Sequence, residues 1–375
     1  MGHGILMTLV HLAFLLAILG GSAFLFARLR NPFWAKQPVH HHWDMHLWLS
    51  SGRIICDGPA LSNSYVYPLS VSTERSTVLG PEAKDAVSAF ISQNYLRAEN
   101  AKYVPTTEDV FDYLQSEASL ISTWKDGDIK GVITSRPLQA SLPVVGKLDV
   151  GYVDNLTVHK DSRKKGIAPR LIQTYLYQAR EFNPDTKVYL FKREGPTNPT
   201  VPLVKYDAEF YKSSALKPIL VKGAEIASEN DMATVLERVR SDVERHSVAV
   251  VMSDPDILRL VKAKKIYILK TSSIDGSIKN VMFVRKSPTY DSAGVLTLEI
   301  IYLVGESCSR AQFITLVSGL VLIEPVFNLS IERIGSLALP QYVMGVDPYA
   351  KCPMAYFFYN YACPTQKARQ VGVLV

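Results

Sequence analysis

With 375 residues, 47% hydrophobic and 20% charged, the chain is globular and long enough for two domains with substantial cores. Its formal net charge of +6 suits a phosphate-bearing ligand or an anionic membrane surface. No basic run with interleaved aromatics is present, which argues against nucleic acid.

Residues 4–27 are almost unbroken apolar sequence, interrupted by His11 and the small hydroxyls Thr8 and Ser22. As a helix this run would rise about 36 Å, enough to cross a hydrocarbon core of about 30 Å. Arg28, Arg30 and Lys36 follow it, so the positive-inside rule predicts a single-pass membrane protein with its body on the cytoplasmic side. A cleaved signal peptide would need a positive segment first, and only His3 precedes the run. Gly2 is available for lipidation of the chain itself, but Leu6 stands where Ser or Thr is favoured, which argues against it.

Residues 31–75 read as an extended arm, because Pro32, Pro38, Pro59 and Pro68 forbid long helices. Helical spacing follows over 81–95, with Ala86, Val87, Phe90, Ile91 and Tyr95 on one face, and over 107–114 behind a Thr106 or Thr107 cap. Segments 120–124 and 129–134 flank Lys125-Asp-Gly-Asp128 as a hairpin. Strands are expected within 144–159 and at 188–191, with a long amphipathic helix over 165–182 between them. A loop at 195–202 and a linker at 216–229 separate this from a second, similar series. There the helices fall at 230–245 and 254–262, a hairpin at 265–271 and 280–286, and a strand at 296–304. A helix at 309–323 and an aromatic strand at 355–361 complete it. Helix, hairpin, strand and helix occurring twice predict an internal duplication of one α+β unit.

One motif carries chemistry. The strand Val153-Asp-Asn-Leu-Thr-Val-His159 runs into Lys160-Asp-Ser-Arg-Lys-Lys-Gly-Ile-Ala168 and then into a helix. Strand, Arg163-x-x-Gly166-x-Ala168, helix is similar to the pyrophosphate loop of GNAT-type acyltransferases. Small residues let backbone approach a phosphate, and the helix dipole favours an anion at those N–H groups. Lys160, Arg163, Lys164 and Lys165 add positive charge, and Pro169 fits a first turn. His159 reads as a packed imidazole, and His40, His41, His42 and His46 as an exposed polar turn with no metal. Cys56, Cys308, Cys352 and Cys363 lack CxxC spacing and read as reduced thiols. The sequence ends on an apolar run, Val371-Gly-Val-Leu-Val375, which predicts a buried final carboxylate.

Together these pieces resemble the eukaryotic-type N-myristoyltransferases. Phe33-Trp-Ala-Lys-Gln-Pro-Val39 resembles their FWxTQPV arm, Asn94-Tyr95 their ENYV segment, and Asp154-Asn-Leu-Thr-Val-His-Lys160 their NFLCVHK. Residues 163–172 are similar to RSKRLAPVLI, Val326-Phe-Asn328 to VFNAL, and the tail to YNWKCP…VGLVL. The resemblance implies an α+β fold of two tandem GNAT-like halves. It assigns 1–30 to a membrane anchor, 31–75 to an arm on acyl-CoA, 76–215 to an acyl-CoA-binding half and 216–375 to an acceptor-binding half.

It also implies roles. Phe33, Trp34 and Val158 would contact acyl-CoA, and Arg163, Lys164, Lys165, Gly166, Ile167 and Ala168 would hold its phosphates. The backbone N–H groups of Asn155 and Leu156 would form an oxyanion hole, and the Val375 carboxylate would take the proton from the acceptor amine. Tyr95, Tyr211 and Asn328 would contact the peptide. Several positions depart from the family pattern. Asp154 replaces an Asn and reads either as a substitute base or as a structural carboxylate. Leu190 replaces a threonine, Tyr211 a histidine, and 96–102 an acidic loop; the tail is one residue shorter. The expected activity is transfer of a fatty acyl group, myristoyl by resemblance, from acyl-CoA to an N-terminal glycine, by a monomer. The alternatives are an inactive docking protein that still binds acyl-CoA, and a short-chain acetyltransferase.

Overall fold

The computed structural model describes residues 2–50, 52–60, 62–95, 101–195, 200–216, 223–304, 308–340 and 344–375, with side chains from residue 7 onward. Parts of the expected loop at 195–202, the linker at 216–229 and the replaced acidic loop at 96–102 lie outside the described residues.

Helix α1 (Gly2–Arg30) contains a 24-residue stretch, Met7–Arg30, in which an 18-residue window has mean hydropathy 2.2 and no buried residue. It is long and apolar enough to cross a membrane. The arm that follows has no long helix, but a five-residue turn of helix, α2 (Met45–Leu49), interrupts it. Helix α3 (Pro81–Asn94) starts on Pro81, where a missing N–H costs nothing. A short strand β1 (Ala101–Tyr103) precedes α4 (Thr107–Phe111), which begins in a reciprocal box between Thr106 and Asp109.

The rest of the first half comprises β2 (Leu120–Asp126), β3 (Asp128–Leu142), β4 (Gly146–Val158), α5 (Ile167–Phe182), β5 (Val188–Glu194) and β6 (Val204–Tyr211). In the second half come α6 (Met232–Val243), β7 (Val248–Val251), α7 (Asp254–Lys262), β8 (Ile266–Ser272), β9 (Ile278–Asp291) and β10 (Leu296–Val304). Helix α8 (Arg310–Ser318) and strands β11 (Asn328–Glu332), β12 (Ala350–Tyr359) and β13 (Val371–Leu374) complete the chain.

These thirteen strands, with the short strands Val71–Arg75 and Glu225–Ile226, form a fifteen-stranded sheet among the described residues that joins both halves, with the central order β3-β4-β5-β12-β6-β11-β10-β9. The succession of parallel and antiparallel pairs along it reads the same from either end. The pair β4–β5 is parallel, and so is its counterpart β10–β11. Strands β12 and β6 are exchanged: β12 pairs with β5 of the first half, and β6 with β11 of the second. The outer edges are exchanged too. Strand β7 pairs with the far end of β3, and β1 with the far end of β9. The expected duplication is thus visible in the pairing itself.

Alternation along the long strands sends side chains to two layers. On one face, α5 packs Leu171, Tyr175 and Ala179 against Leu120 and Ile133, while α8 packs Phe313, Leu316 and Val317 against Met282, Val284 and Ile300. On the other, α3 and α4 cover Ile121 and Val132, and α6 and α7 cover Val281, Phe283 and Ile301. Burying each such side chain stabilises the fold by about 2 kcal/mol.

Candidate active site

The site is built where β4 and β5 part. They pair only from Val150↔Val188 to Val153↔Phe191 and then diverge, opening a wedge in the sheet. At the same level β4 bulges: its register to β3 runs Thr134↔Asp154 and then Val132↔Thr157. Asn155 and Leu156 are left outside that ladder, with Asn155 at φ +52°, a left-handed conformation that Asn tolerates better than most residues. Thr134 fixes the bulge. Its hydroxyl donates to the Asp154 carbonyl (3.2 Å) and accepts from the Asn155 amide (3.1 Å).

The two expected oxyanion donors differ. The Asn155 N–H donates to the Asp154 carboxylate at 2.8 Å, so a negative group already holds it. Leu156 is 40% exposed at the bulge.

The turn before α5 ends in Lys164 at φ +61° and Gly166 at φ +77°. Gly166 caps α5 without any side-chain hydrogen bond, and the first turn holds no acidic residue. The first-turn N–H groups of Ile167 and Ala168 therefore have no side-chain cap, and exposed Lys164 and Lys165 flank that helix end, an arrangement that favours negative charge. Arg163 is turned away from it. Its guanidinium donates to the Asn94 carbonyl and to the Val158 carbonyl (3.4 Å), tying the turn to the end of α3.

On the arm, Phe33 is buried edge-on to Trp34 (5.1 Å) and Tyr65 (5.2 Å). Trp34 stacks on Phe191 (5.7 Å), and Phe191 on Phe357 (5.3 Å), so the aromatic column ends beside the wedge. His40 and His41 are buried, which corrects the reading of an exposed polar turn. His40 Nδ1 lies 3.2 Å from the Cys363 carbonyl, and His41 contacts the Trp34 carbonyl and Asp44, each at 2.8 Å. Imidazoles here pin the arm to the body. Among the described residues no three His, Cys, Asp or Glu side chains converge as a metal set.

The last residue of the sequence, Val375, is buried, and β13 runs parallel to β7 beneath it. Arg285 Nη1 reaches the Val375 oxygen at 3.4 Å and holds Glu299 through Nη2 (2.6 Å) and Nε (2.9 Å). Nearby, Lys192 pairs with Glu332 at 2.6 Å. Burial alone would lower the Lys192 pKa, but Glu332, Tyr356 and Glu299 outweigh it and hold the ammonium charged. Burial would likewise raise Glu299, yet Arg285 and Lys192 keep it below its ordinary range. Tyr95 packs at a tilt against Tyr103 (4.9 Å), and burial, with Asp154 next, pushes the Tyr95 hydroxyl up to about 12.

This ionic floor was missed by sequence reasoning. Its signal was a charge inside each apolar strand: Lys192, Arg285, Glu299 and Glu332. The remaining predicted residues lie apart from it. Tyr211 is buried and donates to Glu209 (2.7 Å), while Asn328 donates to Asp291 (2.9 Å) and accepts from the Ser213 N–H (3.3 Å). Leu190 is fully buried, and Val158 packs partly buried against the α5 core.

No curated protein sequence matches the chain. Residues 87–205, about a third of it, match the model of the acetyltransferase (GNAT) family. Two crystal structures of Saccharomyces cerevisiae N-myristoyltransferase with bound myristoyl-CoA superpose with TM-scores of 0.75 and 0.70, each at 13% identity and over 92% of this chain. They are covered over 94% and 99% of their own lengths. A third, with myristoyl-CoA and inhibitors, gives 0.72 at 12% identity. The chain therefore has the N-myristoyltransferase fold, an α+β architecture of two GNAT-like halves about one shared sheet.

Proposed function

We propose that the chain is an acyl-CoA-dependent acyltransferase that moves a fatty acyl group, myristoyl by resemblance, to an N-terminal glycine amine. The observation that carries this is the uncapped α5 terminus opening next to a bulged β4 at the mouth of the β4–β5 wedge. Phosphates would rest on Lys164, Lys165 and the N–H groups of Gly166, Ile167 and Ala168, and the pantetheine arm would run down the wedge past Val158 toward Phe33 and Trp34. The thioester carbonyl would face Leu156. The amine attacks that carbon, the C–S bond breaks, and the proton passes to the Val375 carboxylate or to Asp154. Residues 76–215 would hold acyl-CoA and 216–375 the acceptor, with Tyr95, Tyr211 and Asn328 along the peptide path.

The full chain in detergent, given radiolabelled myristoyl-CoA and glycine-initiated peptides, should yield labelled amide and free CoA thiol. Absence of transfer across a broad peptide panel would reject the reading. One observation favours a second reading, a docking protein that binds acyl-CoA without turnover. Asp154 puts negative charge against the Asn155 N–H, where a developing oxyanion would need a free donor. Deleting Val375 together with Asp154→Asn, which removes both candidate proton acceptors, separates the two: an enzyme loses turnover and keeps CoA affinity, whereas a docking protein keeps both its partner and its CoA.

A further inference from the structure

The arm carries an apolar surface that the acyl-transfer chemistry does not use. In α2, Leu47 points inward and is 1% exposed, whereas Met45 and Leu49 stand 71% and 88% exposed, with Trp48 at 40%. Five residues rarely place three large apolar side chains outward without a partner. The backing is made of packed rings. Trp48 packs on buried His40 (4.7 Å), and His41 stacks on Trp43 (4.6 Å). Trp43 in turn meets Phe24 of α1 edge-on at 5.7 Å, so this surface abuts the apolar helix itself.

We propose that the segment from Trp43 to Leu49 is a platform that seats the globular body on an anionic phospholipid leaflet. The proposal rests on the reading of α1 as a membrane span. Arg30 ends that helix, so a segment packed on Phe24 lies near the headgroup layer. Tryptophan and aliphatic side chains at that depth gain by partial insertion, and Arg28, Arg30 and Lys36 beside them match acidic headgroups. His41 joins the platform to the Trp34 carbonyl, so the arm proposed to hold acyl-CoA would face the lipid from which acyl chains arrive and into which a lipidated product departs.

The test uses the full chain with Cys56→Ser and Cys352→Ser, which removes the two partly accessible thiols. An environment-sensitive fluorophore is attached at Leu49→Cys or, as a control, at Ile274→Cys on the exposed β8–β9 turn. The protein is reconstituted into phosphatidylcholine–phosphatidylserine vesicles. The probe at 49 should brighten about threefold or more and be quenched most by lipids brominated close to the headgroup, as an interfacial depth requires. The probe at 274 should do neither. If the protein floats with the vesicles while the probe at 49 stays water-exposed, the span stands and the platform is overturned. If the protein does not float, the span fails and the platform with it.

Discussion

The two halves of the sheet put different residues at equivalent places. Register equates Arg136↔Tyr152 of the first half with Arg285↔Glu299 of the second, and Lys192 with Glu332. In the second half the arginine has a carboxylate partner; in the first, Arg136 lies over the faces of Tyr113 (4.6 Å) and Tyr152 (5.0 Å), a weaker cation–π arrangement. Lys192 and Glu332 meet each other across the pseudo-twofold. The helix ends differ in the same way. Helix α5 starts on an uncapped glycine, whereas α8 starts in a closed box: Ser309 accepts from the Gln312 N–H (3.3 Å), and Gln312 accepts from the Ser309 N–H (2.8 Å). One half keeps its helix end open to an anion, and the other fills it. The scaffold is present twice, and an uncapped helix start at this place in it once.

The largest test of this asymmetry concerns the axis. Lys192→Met leaves buried Glu332 without its partner and should cost about 3–5 kcal/mol in chemical denaturation. Lys192→Met with Glu332→Met should recover most of that loss, and additive losses would mean that the two do not act as a pair. Next, Lys164→Gln with Lys165→Gln should weaken CoA binding about thirtyfold by calorimetry, from about 1 kcal/mol for each of the two charges lost at contact distance in water. The effect should shrink in high salt.

A pH test follows. Asp291 is held below its ordinary 3.8, at about 2, first by the Asn328 amide. A depressed folded pKa stabilises above the unfolded value, and that contribution disappears as pH falls from 3.8 toward about 2. Asn328→Leu should therefore move the acid-unfolding limb, followed by circular dichroism, to higher pH by a few tenths of a unit up to about one. The smallest effect is expected at the closed helix end. Ser309→Ala should cost about 1 kcal/mol of stability and leave CoA affinity unchanged.

Much of this fold was legible because local patterns agreed with it. The strand at 296–304 and the helix at 254–262 have the bounds their periodicity predicts. The hairpins were read too short, their second strands stopping before Pro137 and Pro288. Both strands run on. Pro137 falls in the gap between β2, which pairs with β3 up to Ser135, and β7, which begins at Gln139. Pro288 lies at a register shift of β9, where a missing donor is tolerated. The tight turn before α5 was legible from Gly166, but Arg163 was not separable from the neighbouring lysines: only the fold brings the Asn94 carbonyl to its guanidinium. Exchange of β6 and β12 between halves was invisible for a similar reason, because pairing over such separations leaves no periodic trace.

That exchange bears on how the protein is made. When residues 76–215 have left the ribosome, β5 still lacks β12, and the far end of β3 lacks β7. Unpaired edges of this kind invite wrong partners, and a nascent chain offers them until β12, through Tyr359, has been synthesised. Neither half expressed alone can complete its sheet. Truncation upstream of Ala350 should yield aggregate instead of a smaller soluble protein, and chaperone dependence should be greatest for this late-closing seam.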